Sequence, residues 1–154
     1  MIQVTNNFLN NEEFFKIQKT IWGVDFPWFI KSPGVFFHHL YDKEKNKLSP
    51  FIYILDSLNK NLKVSTLIDS QILMTLKTDK AVESEVANSK DIYDKSMKSI
   101  LFLNTSNASV NISGLKIIKC EENRLLTLPT NIAHFGATQT DEPINIVLTI
   151  NYLL

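Results

Sequence analysis

Cysteine is nearly missing from this chain. Cys120 is the only one, which excludes an internal disulfide and a metal site built from thiolates. Arginine is as scarce: of 16 basic residues only Arg124 carries a guanidinium, while lysine and asparagine abound, a bias that fits an AT-rich genome. Neither sign of charge dominates. The 16 basic residues balance 16 acidic ones, so no electrostatic footprint marks a nucleic acid or an anionic membrane as partner. No stretch approaches the ~20 apolar residues of a membrane-spanning helix. The opening Met1-Ile2-Gln3-Val4-Thr5-Asn6-Asn7 has neither the basic nor the apolar region of a secretory signal. A soluble cytoplasmic protein is the expectation. Internal repeats and low-complexity linkers are absent as well.

What is present suits one domain over residues 1–154, since 44% of the residues are hydrophobic. Phe14, Ile17, Gln18 and Ile21 recur at helical spacing behind an Asn cap and two early acids, Glu12 and Glu13, which predicts about three helical turns. A second helix is signalled by Ser49 and Pro50, with Phe51, Ile54, Leu55, Leu58 and Leu62 on one face. From about residue 64 the pattern changes to short runs rich in Ile, Leu, Val and Thr: Val64–Lys77, Lys98–Asn104, Leu115–Cys120, Arg124–Leu128 and Asn145–Leu153. Helices followed by strands predict an α+β domain with a helix pair on one side of the sheets. Residues 79–97 are the most polar stretch and read as a loop or lid. Cys120 reads as an unreactive strand residue.

Several segments, in order and spacing, resemble the prolyl-4-hydroxylase-like 2-oxoglutarate/iron(II) oxygenases, and in particular the small members found in marine bacteriophages. They are Asn7-Phe8-Leu9, Pro27-Trp28-Phe29, Phe37-His38-His39-Leu40-Tyr41, Ser49-Pro50-Phe51, Ser99 to Thr105, Gly114 to Ile117, Glu122 to Pro129, His134-Phe135-Gly136 and Ile146 to Tyr152. The resemblance implies a double-stranded β-helix, a cupin-like jelly roll with the two N-terminal helices packed on one sheet. It also implies Fe(2+) and 2-oxoglutarate as cofactors.

In that family the iron is held by His-x-Asp and a distant histidine. On a strand, residues i and i+2 share a face, so such a pair enters one barrel mouth. The distant histidine matches His134. The window for the pair contains no histidine and places Ala87 and Ser89, or with a shift of one Asn88 and Lys90, where the ligands belong. The family's arginine for the 2-oxoglutarate carboxylate matches Asn145, an amide without charge, and a hydroxyl position of the family matches Thr75. Arg124 matches a different position.

Blander readings apply to the rest. His38 and His39 are neighbours on a strand and face opposite ways, so at most one points inward. Glu83, Glu85, Asp91 and Asp94 read first as a solvated loop and second as replacement carboxylates. Trp22, Phe26, Trp28 and Phe29 read as helix-to-sheet packing rather than a ligand groove. Three functions follow from this: a catalytically degenerate oxygenase-like protein that binds or supports, an active oxygenase with non-standard ligands, and a non-enzymatic jelly-roll assembly protein of a phage. A protein partner fits the first and third.

Overall fold

The computed structural model describes residues 1–87 and 95–154. In chain order they form β1 (Gln3–Thr5), α1 (Asn11–Ile21), β2 (Phe29–Ser32), β3 (Val35–Asp42), β4 (Lys47–Leu48), a 3-10 turn (Ile52–Leu55), α2 (Asp56–Leu62) and β5 (Thr66–Leu76). Then follow β6 (Met97–Phe102), β7 (Ser109–Ile112), β8 (Lys116–Lys119), β9 (Leu125–Pro129), β10 (His134–Ala137) and β11 (Ile144–Leu153).

Helix α1 forms where its spacing predicts. The Asn10 side chain accepts from the Glu13 backbone N–H at 2.9 Å, satisfying one of the donors a helix start leaves open. Phe14, Ile17 and Ile21 are its buried stripe. The second helix differs in detail: its first turn is 3-10, and α2 proper begins only at Asp56. Ser49 Oγ accepts from the Phe51 N–H at 3.1 Å, but the predicted N-cap lies ahead of both the 3-10 turn and α2, neither of which has a side-chain cap.

Eight strands make one antiparallel sheet in the order β1-β9-β6-β11-β5-β3-β2, with β4 beside β3, and β10-β7-β8 form a second sheet. Bridges from Glu83 to Ala137 and from Ala87 to His134 lay residues 83–87 along the other side of β10. Part of the stretch read as a loop or lid is thus a border of the smaller sheet. Its polar composition hid this, because two isolated bridges need no apolar face. In the N-terminal half, β2 and β3 form a hairpin whose Pro33-Gly34 turn puts Gly34 at φ +73°, a conformation glycine adopts freely.

Alternation along β11 separates two cores. Ile146, Leu148, Ile150 and Tyr152 face α1, the 3-10 turn and α2, together with Ile17, Ile21, Leu55, Leu58 and Ile72. On the other face, Ile100, Phe102, Leu126 and Leu128 of the large sheet meet Val110, Ile112 and Ile118 of the small one. Two antiparallel sheets thus pack face to face in a jelly-roll arrangement, with the helices on the outer face of the larger one. No helix among the described residues is long and apolar enough to cross a membrane.

Candidate functional site

The space between the sheets is lined by the inward residues of β3, β5, β6 and β11 on one side and by β10 on the other. His134 opens β10 opposite the buried Ile112, so its ring faces inward and is 5% exposed. Its Nδ1 donates to the Ile132 carbonyl at 2.8 Å, which fixes the tautomer and leaves a lone pair on Nε2. Burial, aided by the charge of Lys98, holds its pKa below the usual imidazole value against the opposing effect of that hydrogen bond.

Beside His134 lies Ala87. The two exchange both backbone hydrogen bonds, Ala87 N to His134 O at 2.8 Å and His134 N to Ala87 O at 3.1 Å, and directly paired residues put their side chains on one face. The neighbour of the imidazole on that face is a methyl group. Ser89, Asn88, Lys90, Asp91 and Asp94 lie outside the described residues. Among the described residues no three His, Cys, Asp or Glu side chains gather as a metal site would require. One imidazole beside a methyl does not fit a 2-His-1-carboxylate iron centre.

Asn145 and Thr75 stand opposite each other on β11 and β5. Neither side chain carries charge, and both are engaged: Asn145 Oδ1 accepts from Ser106 Oγ at 2.9 Å, and Thr75 Oγ1 donates to Gln139 Oε1 at 3.1 Å. Gln139 is fully buried and returns a bond from Nε2 to the Thr75 carbonyl at 2.9 Å. Ser106 and Gln139, both missed in sequence, close this end of the barrel with a neutral network. Cys120 adjoins Asn145, and burial pushes its thiol up to about 12. Arg124 is no substitute cation, since it donates to Asn6 Oδ1 and the Lys119 carbonyl and pairs with Glu121 at 2.6 Å on the outside of the sheets.

The histidine pair divides as alternation requires. His38 faces the helices, where Nδ1 donates to the Pro27 carbonyl at 2.8 Å and Nε2 accepts from Ser49 Oγ at 2.7 Å. His39 faces the barrel. Of the aromatics, Phe26 lies in the core with Trp28 against it at 5.3 Å between ring centroids, whereas Trp22 and Phe29 are exposed. Glu83 and Glu85 are exposed. A shallow cleft of about 320 Å³ between β1 and β8, lined by Val4, Lys116, Ile117 and Arg124, lies outside the barrel and holds none of these residues.

Solved structures share this arrangement over nearly the whole chain. The viral collagen prolyl hydroxylase of Paramecium Bursaria Chlorella virus-1 superposes with a TM-score of 0.64 at 10% identity, covering 99% of this chain and 90% of that one. A 2OG-Fe(II) oxygenase-family oxidoreductase from Burkholderia pseudomallei gives 0.70 at 11% identity, with coverages of 99% and 84%. This chain has the fold of the 2OG-Fe(II) oxygenases. HygX from Streptomyces hygroscopicus, solved with nickel, 2-oxoglutarate and hygromycin B bound, shares that oxygenase fold at a TM-score of 0.67 and 13% identity, covering 98% of this chain and 82% of its own. No family model matches the sequence, and no curated protein does. At such identities the likeness is one of fold, and the site must be judged on its own residues.

Proposed function

We propose that this chain is a double-stranded β-helix protein of the prolyl-hydroxylase-like oxygenase type that no longer carries out iron-dependent oxidation and acts instead by binding. The observation that carries this reading is Ala87 paired directly with His134, a methyl beside the imidazole where an iron centre needs a second donor atom. The neutral network around Asn145 supports it from the other end of the barrel. A guanidinium there would give a carboxylate two charged hydrogen bonds, whereas an amide, here accepting from Ser106 through Oδ1, brings no charge.

Purified protein mixed anaerobically with iron(II) and 2-oxoglutarate is expected to show no metal-to-ligand charge-transfer absorption, and on admission of oxygen no succinate. Either signal, proportional to protein and abolished by His134→Ala, would refute the reading in favour of an active oxygenase with unusual ligands.

A further inference from the structure

At the end of β11 away from Asn145, the inward face of the large sheet carries a polar row that the proposed function leaves unused. Lys98 on β6 stands opposite Asn151 on β11, and Asn151 stands opposite Asp69 on β5. From Asn145 to Asn151 the strand runs about 20 Å. The row is therefore not the position at which the oxygenase arginine is expected.

Asn151 Nδ2 donates to Asp69 Oδ1 at 2.6 Å. That bond turns Nδ2 toward β5 and leaves Oδ1 on the side of β6. The Oδ1 atom is buried and has no hydrogen-bond partner. Lys98, on that side, makes no ion pair with any carboxylate among the described residues, and burial lowers its pKa while Asp69 at longer range opposes the shift. His39, inward on β3 opposite Gln71, has a buried Nδ1 that is likewise unpartnered. An acceptor and an ammonium on facing positions of adjacent strands, unbonded to each other, are two groups that one small polar molecule can bridge. The charges around them restrict which molecule. Asp69 disfavours polyanions, while Asp42, opposite it on β3, is paired with Lys45 at 3.2 Å; the one ammonium of Lys98 matches one negative charge. Asn151 Oδ1 needs a donor, which a simple carboxylate lacks.

We propose that Lys98 and Asn151 form a metal-independent site for a small hydroxy-monocarboxylate, with the carboxylate on the Lys98 ammonium and the hydroxyl donating to Asn151 Oδ1. The site rests on the reading of a barrel that binds without iron. It gives that barrel a ligand class.

The test is a titration of the full chain, in excess EDTA, with glycolate, acetate and inorganic phosphate, followed by amide NMR shifts. Glycolate should saturate, shifting Lys98 and Asn151. Acetate should bind more weakly, and phosphate more weakly still. Lys98→Met, which keeps the stem and removes the charge, should weaken glycolate by about tenfold or more, the worth of one charged hydrogen bond. Asn151→Leu should erase the preference for glycolate over acetate. No saturable binding of glycolate, binding unchanged in Lys98→Met, or phosphate binding tightest would overturn the site. Water filling the gap predicts the first of these outcomes. Iron-dependent turnover by the same preparation would refute the functional reading separately, whereas failure in EDTA alone refutes only this site.

Discussion

The pairing of His134 with Ala87 sets what a single imidazole can do in this barrel. With Nδ1 committed to the Ile132 carbonyl and burial opposing charge, His134 is a neutral hydrogen-bonding group. The sign of its contribution to stability follows. Its folded pKa lies below the ordinary value near 6.5, so on acidification through that value the unfolded chain takes up a proton that the folded chain refuses. The stabilisation is complete above pH 6.5 and is lost as pH falls toward the folded pKa. His39, half-buried with its pKa also lowered chiefly by burial, adds in the same direction. Urea midpoints are expected to drop between pH 7.5 and 5.5, and His134→Gln should flatten that slope. A midpoint that rises on acidification, or a slope unchanged in the variant, would contradict this account. Asp69, whose pKa burial raises, acts with the opposite sign.

Among the elements, β11 does most to organise the molecule, since its even residues build the helix-side core and its odd residues line the barrel. Near the other end of the chain, one residue clamps the segment between β1 and α1. Asn123 accepts from the Leu9 N–H at 3.0 Å and donates to the Leu9 carbonyl at 2.7 Å, while its own carbonyl accepts from the Phe8 N–H at 2.9 Å. It adopts φ +57°, which asparagine tolerates better than most residues, and it is 4% exposed. Asn123→Ala removes both side-chain bonds and leaves two buried backbone groups unpaired, at a cost of about 2 to 4 kcal/mol. The melting temperature should fall by about 5 to 15 °C. A melt within a degree of the parent would show that this clamp contributes nothing. The runs that became β5, β6, β8, β9 and β11 were legible because each carries enough Ile, Leu and Val to mark a buried face. Strands β7 and β10 were not. Ser109–Ile112 and His134–Ala137 are four residues each, too short and too polar for alternation to stand out, and they exist because each pairs with a neighbour.

At the scale of the molecule, one sheet serves two cores, so neither core can be lost alone without exposing the other's wall. Trp28 packs against the helix-side core, while far-UV circular dichroism reports chiefly on both sheets. Denaturation followed by tryptophan fluorescence and by circular dichroism should give coincident curves. Two separated transitions would mean that the helices and the smaller sheet unfold independently. The same layering explains the likeness to oxygenases at 7–13% identity: alternating apolar strands in this order close around a barrel whatever its inward polar residues are.

The amino-acid sequence alone determined the capped α1, the apolar faces of the longer strands, and the scarcity of arginine that leaves Asn145 without a charge to offer. Those are local properties, written in spacing and residue type. The tertiary structure decided which polar residues meet. Lys98, Asn151 and Asp69 come from distant parts of the chain, and only the order β6-β11-β5 sets them side by side. Strand order and register are fixed by packing across the whole sheet, so no window of sequence contains them.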